Sequence, residues 1–250
     1  MTDSLFQRFE ALHVPGDPLV LFNAWDAGSA QAVAKAGSKA VATGSASVAM
    51  ANGFGDGHEL PMDFALANAR RIVNSVDLPV TVDFEGAYSD DPAEGARNLA
   101  QLKGVGAVGC NFEDQVVGGE GLHSISVQAE RIAAAREAVG ADFFINVRTD
   151  LFLKAPPETH SAAMLDEAID RVRAYAEAGA SGYFVPMLGN LEMLRRLCAE
   201  SPIPVNFMTY PGCPSNSDVA ATGVARISHG PFPYMALMGQ LEAAAREAIL

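Results

Sequence analysis

Residues Pro79–Tyr88 read PVTVDFEGAY. An apolar, β-branched run that opens on proline and closes on a glycine turn is the pattern of a buried strand. Two carboxylates, Asp83 and Glu85, stand at its C-terminal end. Side chains two apart on a strand share a side, so this pair is expected to project together. Like charges held that close repel, and burial adds to the cost, unless a cation lies between them. A hydrated strand end is the plainer reading of these ten residues alone. The same ending recurs along the chain, and the recurrence favours a site.

Upstream, Leu19–Trp25 and Ala40–Ala46 read as strands, the second running into Thr43-Gly44-Ser45-Ala46-Ser47 and then a Gly-rich loop at Asn52–Glu59. Downstream, Ala107–Phe112 leads into Glu113-Asp114 and a loop, Gln115–Ser124. Gly118, Gly119 and Gly121 make that loop a candidate mobile lid. Asp142–Val147 leads into Arg148-Thr149-Asp150, and Gly182–Pro186, Pro204–Phe207 and Val224–Ser228 complete the strands. Helical stretches separate them, among them one capped by Asp26, one opened by Asp91-Pro92, and a last one from Phe232 to Ile249.

About eight strand–helix units at near-even spacing predict a (β/α)8 TIM barrel, one domain over residues 1–250. Continuously apolar strands suit a parallel sheet covered on both faces. A doubly wound open sheet is the alternative. It leaves the polar strand ends unexplained, whereas a barrel gathers them round one mouth.

The chain has 250 residues, 49% of them hydrophobic, enough to bury a large core. Thirty acids against 17 bases give a formal charge of −13. That balance argues against nucleic acid as a partner, since phosphate neutralisation needs clustered Lys and Arg. Three widely spaced cysteines fit free thiols in a reducing cytoplasm. No apolar stretch of ~20 residues and no secretory pattern is present, so no membrane association is expected.

In a barrel the strand ends would bring together Trp25, Thr43, Ser45, Asp83, Glu85, Glu113, Arg148, Asn206 and His229. Asp83, Glu85 and Glu113 are hard oxygen donors with no Cys or His among them, which favours magnesium, or manganese, over zinc. Arg148 is the only basic residue read into the central layer, and a fixed guanidinium suits a planar carboxylate. A salt bridge from Arg148 to Asp150 is the plainer alternative. Trp25 reads as a pocket wall. Cation, arginine and hydroxyl-lined loop together suit a small α-oxo acid whose enolate is stabilised as it forms.

The segments FNAWDAGSA (residues 22–30), ATGSAS (42–47), VDFEGAY (82–88), NFEDQ (111–115) and NVRTD (146–150) resemble the isocitrate lyase/phosphoenolpyruvate mutase superfamily. The resemblance implies that Asp83 holds magnesium directly, with Glu85 and Glu113 acting through water and Asp56 nearby. It also implies that Arg148 grips the substrate carboxylate and that Ser45-Ala46-Ser47 binds the oxo-acid end. A last helix exchanged between subunits, and a dimer or tetramer, follow from the same likeness. The isocitrate-type lyases of that superfamily carry a KKCGH- or KRCGH-type loop after the fourth strand. Here the loop is QVVGGEGLHS, without cysteine or lysine. The expected activity is therefore magnesium-dependent cleavage of a small α-oxo dicarboxylate of the oxaloacetate type. Phosphonopyruvate mutase or hydrolase chemistry, or a 2-methylisocitrate-type lyase with His123 as acid, is the second reading. An α-oxo-acid-binding protein with weak turnover is the third.

Overall fold

The computed structural model describes residues 3–249. Eight strands, β1 (Leu19–Leu21), β2 (Val41–Ala42), β3 (Val80–Asp83), β4 (Gly109–Glu113), β5 (Phe144–Arg148), β6 (Gly182–Phe184), β7 (Val205–Met208) and β8 (Arg226–Ser228), pair in parallel in the order β1-β8-β7-β6-β5-β4-β3-β2. The remaining seam is closed beyond the strand ends. Ala24 bridges Thr43, and its N–H donates to the Ala42 carbonyl at 2.8 Å. This is the expected (β/α)8 barrel.

The helices are α1 (Leu5–Ala11), α2 (Ala27–Lys35), α3 (Ser45–Ala51), α4 (Met62–Val73), α5 (Pro92–Gly104), α6 (Ile125–Val139), α7 (Ala162–Glu177), α8 (Leu191–Glu200), α9 (Asn216–Ala220) and α10 (Phe232–Ile249). Their starts follow local chemistry. Asp26 accepts from the Ser29 N–H at 2.7 Å, and Asp91, followed by Pro92, accepts from the Glu94 N–H at 2.8 Å. Each side chain satisfies an N–H that the first helical turn leaves without a partner.

Leu99, Leu102, Ile132 and Val172 come from the helices and bury against the outer faces of the strands. At the N-terminal end of the barrel, α1 acts as a plug. Phe9 meets Phe144 edge-on with centroids 5.4 Å apart, and the His13 ring stacks on Phe144 at 4.3 Å. No helix among the described residues is long and apolar enough to cross a membrane.

One element departs from expectation. The stretch from Ser45 is helical, with Gly44 extended as its N-cap. Its Val48 and Ala49 bury against Leu60. Ala and Ser carry no apolar periodicity of their own, so tertiary packing decides this segment. The last helix buries only Pro233. Met235, Leu237, Leu241 and Ile249 are exposed, as are Val20 on β1 and Phe22 just beyond it. Between α10 on one side and α2 with the Phe22–Asp26 segment on the other runs an apolar groove of about 550 Å³.

Candidate active site

The mouth formed by the C-terminal strand ends holds a cavity of about 210 Å³. Asp83, Asp56 and Arg148 supply its charges, Ser45 and Asn111 its central polar groups, and Phe184 and Met208 part of its apolar wall. The size suits a small acid rather than a cofactor.

Asp83, at the end of β3, anchors the site. Its Oδ2 accepts from the N–H and the hydroxyl of Ser45, at 3.3 and 3.2 Å, and its N–H donates to Thr43 Oγ1 at 3.0 Å. Its Oδ1 is buried with no hydrogen-bond partner. A buried carboxylate oxygen without a donor is costly, and a cation is the usual remedy.

Glu85 lies beyond the strand. The chain turns left-handed there (φ 51°), so strand alternation does not bring the two acids together. Glu85 lines a small cleft next to the main cavity, beside Asp83 and Tyr88, and accepts from the His58 N–H at 2.8 Å. Burial, then Asp56 and Asp83, push its carboxyl up to about 8. Burial and Asp83 raise Asp56 as well. Ala87, Tyr88 and His58 share the positive φ of Glu85. Such clustered strain in non-glycine residues persists only where the surroundings impose it. Here His58 imposes it, its Nε2 accepting from the Gly86 and Tyr88 N–H groups at 3.1 and 3.3 Å.

Arg148 and Glu113 are direct register partners on β5 and β4, and Nη1 lies 3.1 Å from Glu113 Oε2. The Nε and Nη2 groups of Arg148 fork onto the two oxygens of buried Asp150. The salt bridge to Asp150 therefore forms. It engages one edge of the guanidinium and leaves one N–H on each terminal nitrogen, beyond those bound by Asp150 and Glu113, for a ligand. Glu113 is buried and does not line the cavity. Burial raises its carboxyl strongly, opposed by Arg148.

The structure moves other expected site residues away from the cavity. Trp25 packs edge-on against Tyr234 of α10, centroids 5.2 Å apart, and lines the outer groove. Thr43 is buried behind Asp83, and Ser47 is buried in α3, whereas Ala46 does line the cavity. Asn206 is buried in the barrel interior, where it donates to backbone carbonyls. The His229 ring contacts the Leu21 carbonyl at 3.1 Å. His123 Nε2 sits 3.1 Å from Asp90, outside the cavity, as is the whole 115–124 loop. That loop is a small hairpin, with Gln115 bridging Leu122.

Sequence reading passed over Asn23, His58, Asn111 and Arg226. Asn23 Oδ1 accepts from the His229 and Gly230 N–H groups, and its Nδ2 donates to the Thr43 carbonyl at 2.8 Å, tying three strand ends together. Arg148 is not the only interior cation, because Arg226 on β8 is fully buried below the site. Burial lowers its guanidinium to about 10. Period two was the usable signal, since Asn111 and Asn146 stand two residues before Glu113 and Arg148 and so face the same way.

Among the described residues, no three His, Cys, Asp or Glu side chains converge closely enough to hold a metal unaided. One carboxylate ligand completed by water still satisfies a magnesium ion. The partnerless Asp83 Oδ1, with Asp56 and Glu85 raised by burial and by neighbouring acids, fits that arrangement.

The sequence matches the phosphoenolpyruvate phosphomutase family over residues 9–249. The chain belongs to that family. With it comes membership of the isocitrate lyase/phosphoenolpyruvate mutase superfamily, to which its residue motifs pointed. A crystal structure from Burkholderia cenocepacia, provisionally described as a phosphonomutase, is 47% identical, covers 98% of each chain and superposes with a TM-score of 0.95. An uncharacterized protein of Mycobacterium tuberculosis is 35% identical over 229 residues, 91% of this chain and 83% of its own. The 2-methylisocitrate lyase of Salmonella typhimurium is 29% identical over 208 residues, 80% and 68% of the two chains. Lyases and mutases thus both occur among the relatives of this phosphomutase-family chain.

Proposed function

We propose that this protein is a magnesium-dependent carbon–carbon lyase that cleaves a small α-oxo dicarboxylate of the oxaloacetate type through a pyruvate-type enolate. One observation carries the reading. A single small cavity holds Asp83, with one oxygen lacking any partner, together with Arg148, with one N–H to spare on each terminal nitrogen. Asp83 would hold the cation directly, with Glu85, Glu113 and Asp56 acting through water. Bound there, the ion supplies Lewis-acid stabilisation of the charge that develops at the keto oxygen. Arg148 binds and orients the substrate carboxylate through those two N–H groups. The Ser45 N–H and hydroxyl steady Asp83.

Among the described residues lining the cavity, none is His, Cys or Lys. A leaving group that must be protonated would lack an imidazole, thiol or ammonium donor there, whereas carbon dioxide departs without one. That favours decarboxylation over isocitrate-type cleavage. The exposed apolar faces of β1 and α10 fit assembly from two or four copies, each α10 crossing to the barrel of another.

The test is a substrate panel with magnesium: oxaloacetate, phosphonopyruvate and 2-methylisocitrate, followed by product analysis. Pyruvate and carbon dioxide from oxaloacetate, with little turnover of the others, is the expected result. Tight oxalate binding without turnover of any of the three would establish a binding protein instead.

A further inference from the structure

We propose that Asn111 is a substrate-contacting residue that presents its amide NH2 at the floor of the cavity, where it donates to an oxygen of the bound acid. Asn206 and Asn146 are the positioning residues that set its direction. The proposal deepens the reading above and rests on it, since it takes the ligand to be a planar α-oxo acid.

The direction follows from groups that can only accept or only donate. Asn206 Nδ2 lies 2.7 Å from the Phe207 carbonyl, 3.3 Å from the Arg226 carbonyl and 3.2 Å from Ser228 Oγ. Carbonyl oxygens only accept, so the nitrogen must face them, because turning the amide over would set oxygen against oxygen. Asn206 Oδ1 therefore faces Asn146. The Asn146 Nδ2 donates to it at 3.0 Å and to Asn111 Oδ1 at 2.9 Å. Arg226 Nη2, which can only donate, approaches the same Asn111 oxygen at 3.4 Å. The three asparagines are almost fully buried, where a reversed amide would be expensive.

With its oxygen held from below, Asn111 turns its nitrogen the other way. It lines the cavity, and its Nδ2 meets no acceptor among the described residues. Asn111 is also the register partner of Asp83. An amide presented oxygen-first beside Asp83 would be a further ligand for a hard cation. Presented nitrogen-first it cannot ligate one, and it serves an anionic oxygen without adding charge to a site that already holds several acids. Gly182 makes room for the relay, since a Cβ there would stand 2.7 Å from Asn146 Oδ1.

Calorimetric titration of oxalate in the presence of magnesium, on the full chain, tests this. The variants are Asn111→Ala, Asn111→Asp and Asn146→Asp, each with magnesium affinity and melting temperature measured in parallel. Oxalate affinity should fall about 10- to 100-fold in both Asn111 variants, the loss expected for a hydrogen bond to a charged group. Magnesium affinity should hold in Asn111→Ala. Asn146→Asp replaces the donor beneath Asn111 with an acceptor and removes the hydrogen bond that holds its amide oxygen-down. Oxalate affinity should then fall although residue 146 does not line the cavity, while magnesium affinity holds or rises. Loss of both affinities together with melting temperature in Asn146→Asp would mark a merely structural role and overturn the relay. If the parent binds oxalate and Asn111→Ala binds it as tightly, Asn111 is not a contact. Should the alanine variant fail to fold, equal affinity in the nearly isosteric Asn111→Asp overturns the proposal in the same way. A parent that binds no oxalate with magnesium overturns the lyase reading itself, which separates the two failures.

Discussion

The two ends of the barrel bury polar groups in opposite ways. At the N-terminal end, His13 lies between Phe9 and Phe144, donates to the Phe9 carbonyl at 2.9 Å, and is driven neutral by burial and by the charge on Arg226. At the C-terminal end, Asp56, Asp83, Glu85 and Glu113 crowd together, with Arg148 and Asp150 as partial compensation. One end excludes charge, and the other gathers titratable acids around Arg148. Strands, helices and packing are shared, so the difference lies in what each end must do. The lower end closes the core, and the upper end, on the function proposed here, would take a cation and an anion.

Removing the centre of that accumulation should have the largest effect. Asp83→Ala is expected to abolish metal-dependent turnover and to weaken magnesium binding by more than about 100-fold. Its melting temperature without metal should not fall, because the lost carboxylate repels Asp56 and Glu85. Calorimetry showing unchanged magnesium affinity would sink the assignment. Arg148→Lys should come next. Lysine cannot fork onto Asp150, reach Glu113 and still present two N–H groups to a ligand. A loss of about 2–4 kcal/mol in kcat/KM, with a parallel loss of oxalate affinity, is the expected outcome. Unchanged oxalate binding would leave Arg148 as an ion-pair residue only.

How much of this asymmetry was legible in the sequence differs between its layers. The barrel was, because eight apolar runs each ending in polar residues admit few other folds. The central acids and Arg148 were, because they sit at the ends of those runs. Trp25 was not, since its neighbour Tyr234 lies far along the chain on α10 and only the folded molecule sets that contact. Glu85 was placed near Asp83 for the wrong reason, because period two stops where the strand does, at Asp83. Of the asparagine layer only Asn206 was read, and Asn111 and Asn146 were missed because Asn is read as turn chemistry, whereas here the three side chains are held inside the barrel by one another, by Arg226 and by the carbonyls that Asn206 faces. His58 gave no motif. Its role is a backbone link between two loops, visible only in three dimensions.

The two ends should also respond to pH with opposite signs, and this is the smallest effect expected. His13 is lowered to about 3 in the folded protein. Between there and the ordinary histidine value near 6.5, the unfolded chain binds a proton that the folded chain refuses. Its contribution to stability is therefore full above that value and declines as pH falls, by up to about 1.4 kcal/mol per pH unit. Glu85 is raised to about 8. From the ordinary glutamate range near 4.3 up to that value, the folded protein holds a proton that the unfolded chain has lost. Its contribution is thus full at low pH and declines as pH rises. Without metal, the melting temperature should pass through a maximum on the acid side of neutrality. His13→Phe should flatten the acid limb alone and Glu85→Gln the alkaline limb alone. Magnesium should act only on the alkaline limb, because a cation at Asp83 removes the reason for Glu85 to keep its proton. If magnesium instead moves the acid limb, or if neither variant changes its own limb, the division of labour between the two ends is wrong.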